Sequence, residues 1–539
     1  MNSANGWICD GIPKNGQHYP NCSGSHPPHE NHAPECEICG LPQEAMEPQK
    51  LDSKSKTLLS QPQKFQFPIA ATVAIALILL LGGTTAGYLL WRNDVWRFEA
   101  ENSAEMAADS LESISQTAVN AESISQGEKV LLVGGKNFAE KVAGATAFSQ
   151  QNWDEAIAQY QLASEVDPND PEAKIYFNNS IAKKAENPLT IAVVVPISAS
   201  ENAAKEVLRG VALYQDEFND NPTIPGRFLE VAIVNEAEPA NGPSLAQDLI
   251  QAGNVLGAIG HGVDAASREA IAEYEEAQMA VLSPISTRIS TDSTGQSILQ
   301  TLSLGENADE VLDRYLESVG QTLVSHAAAN YSPASAVIFY NTDSPYSQAL
   351  KDKISAALAD NNGELVNAVE VTAPGFNPAE ALQSAREEGA TIGFLALSKN
   401  KVDTAIAIAQ VNANQPQPLA LMGGDELYNP TLLKEGDAAI DGLILAVPWR
   451  WQQGDRFASQ AAKIWRGRVS WRTATAYDTT QALANALTQN PTRAAAAQLL
   501  QQGIPISGTA TDFNLFDRIP LVKAVPGTNA GYRYQFEPL

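Results

Sequence analysis

The sequence predicts an α/β protein: two doubly wound parallel-sheet lobes with a cleft between them, plus one transmembrane helix and a small helical repeat. Three observations predict the lobes. From residue 189 onward, short apolar runs alternate with amphipathic stretches, which is the pattern of repeated strand–helix units. The runs are nearly continuous in Val, Ile, Leu and Ala, as strands covered on both faces must be. About 350 residues carry the pattern, more than one sheet domain holds, so two lobes are expected.

The N-terminal head spans residues 1–48. All four cysteines of the chain (Cys9, Cys22, Cys36 and Cys39) lie in it, with four of the six histidines. Cys36-x-x-Cys39 followed by Gly40 has the form of a zinc knuckle. Zinc favours soft, deprotonated ligands, and a knuckle turn presents two sulfurs to one ion. Cys9 and Cys22 would complete an all-thiolate site, although their 12 intervening residues are not a knuckle spacing. His18, His26, His29 and His32 are alternative ligands, and a thiol-rich tail without metal is the other reading. Such a head belongs in a reducing compartment, whereas the 500 residues after Cys39 contain no thiol and suit an exported domain.

A polar linker, 49–67, leads to Pro68–Trp91, which carries no charge. At about 1.5 Å per residue this run spans a hydrocarbon core of about 30 Å. It starts too far into the chain to be an ordinary cleaved signal peptide. Lys50, Lys54, Lys56 and Lys64 precede it, while Arg92 and Arg97 after it are diluted by Asp94, Glu99 and Glu101. The bias puts the N-terminus in the cytoplasm and everything after residue 91 outside, in the periplasm or its equivalent. Gly83 and Gly87 form a small-xxx-small pair, compatible either with a homodimer through this helix or with ordinary membrane-helix glycine.

Residues 92–136 read as a stalk. Residues 137–187 read as a helical repeat: Gly144, Phe148, Trp153, Ala156, Tyr160 and Ala163 alternate small and aromatic at helix–turn–helix spacing, and Asp167-Pro168-Asn169-Asp170-Pro171 stops one helix and opens the next. This resembles one tetratricopeptide repeat with a capping helix. The unit is either a spacer or a partner-binding groove.

Residues 188–539 form the two-lobed domain. Lobe one is expected at about 188–305 and 448–503, and lobe two at about 306–447 and 504–539. Strands are expected at 189–196, 228–235, 255–260, 280–284, 336–341, 364–371, 392–397, 419–423 and 443–448. Two such lobes face their strand C-termini, and hence a ligand, into the cleft between them.

The motifs IAVVVPIS (191–198), LRGVALYQDEFN (208–219), GAIGHGVDAASREAIAEYEEAQMAVLSPISTRIS (257–290), FYNTDSPYSQAL (339–350), LMGGDELYNP (421–430), GLILAVPWR (442–450) and AYDTTQALANAL (476–487) follow one another at consistent spacing. Together they resemble the type I periplasmic-binding fold, and within it the leucine/isoleucine/valine-binding receptors of ABC transporters. The resemblance implies a small polar, amino-acid-like ligand clamped between lobes and an ABC permease as partner. It places Thr287, with Ser286 beside it, where a hydroxyl meets the ligand. Tyr346 falls on a covering tyrosine and Asp425 on the acid that binds an ammonium, a strong charge-assisted pair in a closing cleft. The chain also departs from the pattern. Asp264 stands near the usual carboxylate-binding serine, Gly305-Glu306 replaces an aspartate, and Ser200 lies where an early tyrosine is expected. The ligand is therefore a standard amino acid, something more cationic or different in kind, or absent from a degenerate regulatory cleft.

The chemistry of catalysis is missing. Gly134-Gly135-Lys136-Asn137 lacks the upstream glycine and the following Ser or Thr of a phosphate-binding loop. No G-x-S-x-G elbow occurs, and His261 and His326 are lone histidines. The chain is not expected to be an enzyme. A net charge of −27 repels phosphate backbones and excludes nucleic acid as a partner. Trp449, Trp451, Trp465 and Trp471 with Arg450, Arg466, Arg468 and Arg472 read as lobe packing or as a docking face. The expected function is a membrane-anchored extracytoplasmic solute-binding protein. The alternative is an envelope regulator or sensor that uses the same domain and the helical repeat for protein interaction.

Overall fold

The computed structural model describes residues 7–9, 29–31, 36 and 123–539, apart from 263–264, 284–286, 295, 302–303, 510–518 and 528–531. The chain divides into two units, 1–102 and 103–539. In the first, β1 (Trp7–Cys9) pairs antiparallel with β2 (His29–Asn31), which sets Cys9 opposite His29. The expected membrane helix at 68–91 lies outside the described residues; among those described, no helix is long and apolar enough to cross a membrane.

The second unit opens earlier than the sequence suggests. β3 (Ile124–Ser125) pairs antiparallel with a lobe-one strand, so the folded body already includes the last part of the expected stalk. The reason is local: buried Ser125 Oγ accepts from the backbone N–H groups of Gly127 and Lys129, both at 3.1 Å, and folds this polar segment into a turn. Three helices follow, α1 (Phe138–Ser149), α2 (Trp153–Val166) and α3 (Pro171–Lys184). Gly144 is small because a Cβ there would stand 2.8 Å from the Tyr160 ring. Asp170 caps α3 by accepting from the N–H groups of Glu172 and Ala173.

Lobe one runs β4 (Leu189–Val195), α4 (Glu201–Asp220), β5 (Leu229–Asn235), α5 (Gly242–Gln251), β6 (Val255–Gly260), α6 (Ala265–Glu276) and β7 (Ala280–Leu282). The sheet order is β3-β5-β4-β6-β7, parallel except for β3. All seven residues of β4 are buried, because helices cover both faces. A hairpin, β8 (Thr287–Thr291) and β9 (Ser297–Thr301), then leads to α7 (Leu304–Asn330) and the second lobe.

Lobe two contains β10 (Ser335–Tyr340), α8 (Pro345–Asp360), β11 (Glu364–Glu370), α9 (Pro378–Glu387), β12 (Ile392–Ala396), α10 (Val402–Ala413), β13 (Ala420–Gly423), α11 (Pro430–Gly436) and β14 (Ile444–Ala446). The chain returns to lobe one through α12 (Arg456–Ile464), α13 (Trp471–Gln489), α14 (Arg493–Gln502) and β15 (Ile504–Ile506). It ends in lobe two with β16 (Leu521–Pro526) and β17 (Tyr534–Pro538). The lobe-two sheet is ordered β11-β10-β12-β13-β14-β16-β17, antiparallel only at its last two strands. β15 pairs with β9, so the final crossover begins after Ile506 and not at the 503/504 boundary expected from sequence. Separate apolar clusters lie on each face of each main sheet. Each fully buried large aliphatic side chain in them contributes about 1.5–3 kcal/mol.

Candidate functional site

In doubly wound sheets the loops after the strand C-termini gather at one edge, and two lobes turn these edges toward each other. In lobe one the loop after β6 is fixed tightly. Gly260 has φ +122, and a Cβ there would stand 2.0 Å from the Val194 carbonyl oxygen. The next residue, His261, is buried with both ring nitrogens engaged: Nδ1 is 3.0 Å from Glu236 Oε1 and Nε2 is 3.2 Å from the Tyr274 hydroxyl. It is a bonded turn residue in this structure.

Thr287 begins β8 and faces Thr301 in register, at the strand end that leads into the first crossover. Its side chain is only 8% exposed, and its Oγ1 meets no hydrogen-bond partner. A buried hydroxyl without a partner costs about 1–3 kcal/mol. Ser200 sits at the N-cap position of α4 without a side-chain cap bond. Ser286 and Asp264 lie outside the described residues, and Glu306 is placed on α7 by its backbone alone.

In lobe two the structure brings Tyr346 and Asp425 together. Tyr346 lies in the first turn of α8, and Asp425 opens the short turn Asp425–Leu427 after β13. The Tyr346 hydroxyl donates to Asp425 Oδ1 at 2.8 Å. Tyr315, from α7, donates to the same oxygen at 2.9 Å. Gly424 makes room for this, since a Cβ there would stand 2.3 Å from the Tyr346 hydroxyl. Asp425 is 4% exposed and Tyr346 is 3% exposed. Burial pushes the Asp425 carboxyl above its ordinary range; the two phenols and the Arg472 charge oppose the shift. The resemblance gave Tyr346 a covering role and Asp425 an ammonium. In the structure the tyrosine is buried against the acid, and the acid accepts two hydrogen bonds.

Sequence reasoning missed the seam between the lobes. Arg472, on α13 of lobe one, donates to the Tyr428 carbonyl of lobe two at 2.9 Å and to Glu206 of α4 at 3.2 Å. Arg468 pairs with Glu537 at 2.8 Å, and Arg450 donates to the Leu539 carbonyl at 3.1 Å. Arg468 also stacks over Trp451, and Arg472 over Trp471. Arg450, Arg468 and Arg472 are thus spent on contact between lobes, while Trp449 and Trp465 are buried in the lobe-one core. The indole N–H groups of Trp449, Trp451, Trp465 and Trp471 are buried and meet no protein acceptor. The only signal for the seam in the sequence was the composition of 449–472.

Of the expected zinc ligands, Cys9 lies on β1 and Cys36 is buried, while Cys22 and Cys39 lie outside the described residues. Among the described residues no group of three or more metal-ligating side chains gathers.

Comparison with known proteins follows the same outline. The model of a family described as periplasmic binding protein matches residues 188–518. No curated protein matches the chain. Among solved structures, an ABC transporter substrate-binding protein from Desulfitobacterium hafniense in complex with Leu is 18% identical, with a TM-score of 0.50, over 66% of this chain and 100% of that one. A solute-binding protein of an ABC transporter from R. palustris in complex with 4-hydroxybenzoate is 11% identical, also with a TM-score of 0.50, over 66% and 96%. A leucine-binding protein from Thermotoga maritima is 17% identical, with a TM-score of 0.48, over 65% and 97%. The two likenesses with a TM-score of 0.50 show the fold alone. With more than half its length matched, the chain belongs to the periplasmic binding protein family.

Proposed function

We propose that residues 188–539 capture a small, polar, amino-acid-like solute between the lobes and present the closed form to an ABC permease. The unpartnered, buried hydroxyl of Thr287 at the mouth of the first crossover carries this reading. A donor–acceptor group held dry without a partner is what an incoming ligand completes. One structure of similar fold is in complex with Leu and another with 4-hydroxybenzoate. A carboxylate is common to both, and we propose that Thr287 takes such a group here. The test is thermal melting of the chain against amino acids, amides, polyamines and small carboxylates. One class is expected to raise the melting temperature, and Thr287→Val to abolish that rise while leaving the ligand-free melt unchanged. No shift with any class counts against the reading.

The proposal extends to the parts outside the described residues. The run 68–91 anchors the chain, with the head in the cytoplasm and the lobes outside. The head holds one zinc ion through Cys9, Cys22, Cys36 and Cys39. The facing of Cys9 and His29 supports a compact metal-binding head. Native mass spectrometry of the full chain is expected to show one zinc that chelator removes; a metal-free mass argues for an unliganded tail.

A second reading, an envelope regulator or sensor, is favoured by one observation. The helical unit is fixed rigidly to lobe one: Asn179 of α3 exchanges bonds with both the N–H and the carbonyl of Val231 in β5, at 2.9 and 2.7 Å. A pull-down that recovers a permease supports transport, and one that recovers a cell-wall enzyme supports regulation.

A further inference from the structure

Helix α4 carries three charged residues, Glu201, Lys205 and Arg209, spaced four apart and so aligned along one side. This stripe walls a cavity of about 250 Å³ between lobe one and the helical unit. Two turns of the helical unit close it from the other side, 132–135 ahead of α1 and 167–170 between α2 and α3. Gly134 and Gly135 have φ +107 and +88, and a Cβ at Gly134 would meet nothing within 4 Å, so this wall is bare backbone. Thr287, Tyr346 and Asp425 do not line the cavity.

Most charges on the walls are already matched. Lys141 is held by Asp170 at 2.8 Å and by Glu172 at 2.9 Å. Asp170 also accepts from Asn137 Nδ2 and caps α3. Lys205 pairs with Glu201. One charge of each sign is left over. Half-buried Arg209 makes a single long hydrogen bond, 3.4 Å to the Asn169 carbonyl. Its Nε is buried and meets no protein acceptor, and the Trp465 ring, 5.9 Å from the guanidinium, holds it in place. A guanidinium offers five donors in a planar fork, so one long bond leaves it far from satisfied. Asp167 accepts once, from the Asn169 N–H at 3.1 Å. Arg209 and Asp167 line the same cavity without pairing with each other.

We propose that this cavity is a second solute site, for a small zwitterion of the α-amino acid type, with its carboxylate on the Arg209 fork and its ammonium on Asp167. An anion alone meets the carboxylates of Asp167 and Glu201, and a cation alone meets Arg209 and Lys205. A molecule that carries both signs satisfies both unmatched groups. The volume falls just under the range of about 300–1,000 Å³ usual for drug-sized ligands, so the solute is small. Bound there, it ties both turns of the helical unit to α4 of lobe one. This inference is independent of what the cleft binds.

Isothermal titration of the full chain with glycine, L-alanine and L-serine tests it, in a Thr287→Val background that keeps the cleft from contributing. At least one of the three is expected to bind at a single site. Acetate and methylamine, which carry one of the two charges each, are expected to bind at least about tenfold more weakly. Arg209→Gln and Asp167→Asn are each expected to weaken the amino acid at least about tenfold. Asp167→Asn keeps the oxygen that accepts from the Asn169 N–H, so it preserves the turn even if Arg209→Gln disturbs the fold. Three results overturn the proposal: no binding by any of the three amino acids, acetate that binds as well as they do, or an affinity that ignores Asp167→Asn. The last places the solute elsewhere, the cleft included.

Discussion

Asp478, on α13, is 2% exposed. Its Oδ2 accepts from the Thr509 hydroxyl at 3.0 Å and the Thr509 N–H at 3.3 Å, while Oδ1 meets no partner. Burial pushes its carboxyl up to about 7, against the pull of those two bonds. The sign follows from linkage: the folded state keeps a proton that the unfolded chain has released, so stability is greatest in acid and falls as pH rises toward 7. Each pKa unit of difference is worth about 1.4 kcal/mol. The melting temperature is expected to fall between about pH 4 and pH 7, and Asp478→Asn to raise the alkaline end and flatten the slope. Calorimetry of both proteins across that range checks it; an unchanged slope removes Asp478 from the account. Buried Asp425 and half-buried Glu426 are raised by desolvation too, so the slope shrinks without vanishing. At this scale the motifs singled out Tyr346 and Asp425, but not their bond to each other. Their third partner, Tyr315, comes from 110 residues away, a distance over which sequence pattern carries no side-chain geometry.

The elements that bury two faces were legible, because a run of Val, Ile and Leu between turn residues has few other uses. The strands that escaped are short and antiparallel. β9 alternates buried and half-buried residues over five positions, too few to separate from a loop, and its identity depends on β8 and β15 beside it. The helical unit shows the same limit, since its spacing was readable and its buried charge was not. Lys141 Nζ lies 2.8 Å from Asp170, 2.9 Å from Glu172 and 2.7 Å from the Leu132 carbonyl, all away from solvent. Burial alone would lower the Lys141 ammonium, but Glu172 and Asp170 together hold it above its ordinary value. Lys141→Met leaves two carboxylates buried without a cation, an expected loss of about 3–5 kcal/mol. Proteolysis within α1–α3 should accelerate while lobe two stays intact. Unaltered resistance means the ion cluster does not hold the unit.

At the scale of the whole body beyond residue 123, three crossovers join two separate sheets, and the arginines at 450, 468 and 472 stitch one lobe to the other. Contacts of this kind, few and polar, are ones a hinge can make and break. Fold and lobe count were legible from length and alternation; the ligand was not, because affinity rests on a few groups whose environments the sequence does not encode. All native thiols lie in the first 39 residues, so the lobes can be labelled cleanly. Spin labels at Gln251→Cys in lobe one and Gln383→Cys in lobe two, with the native cysteines changed to serine, report the separation directly. A solute that raises the melting temperature is predicted to shift that distance to a single new value, and to fail to do so in Thr287→Val. A separation that stays fixed under every solute contradicts capture by closure.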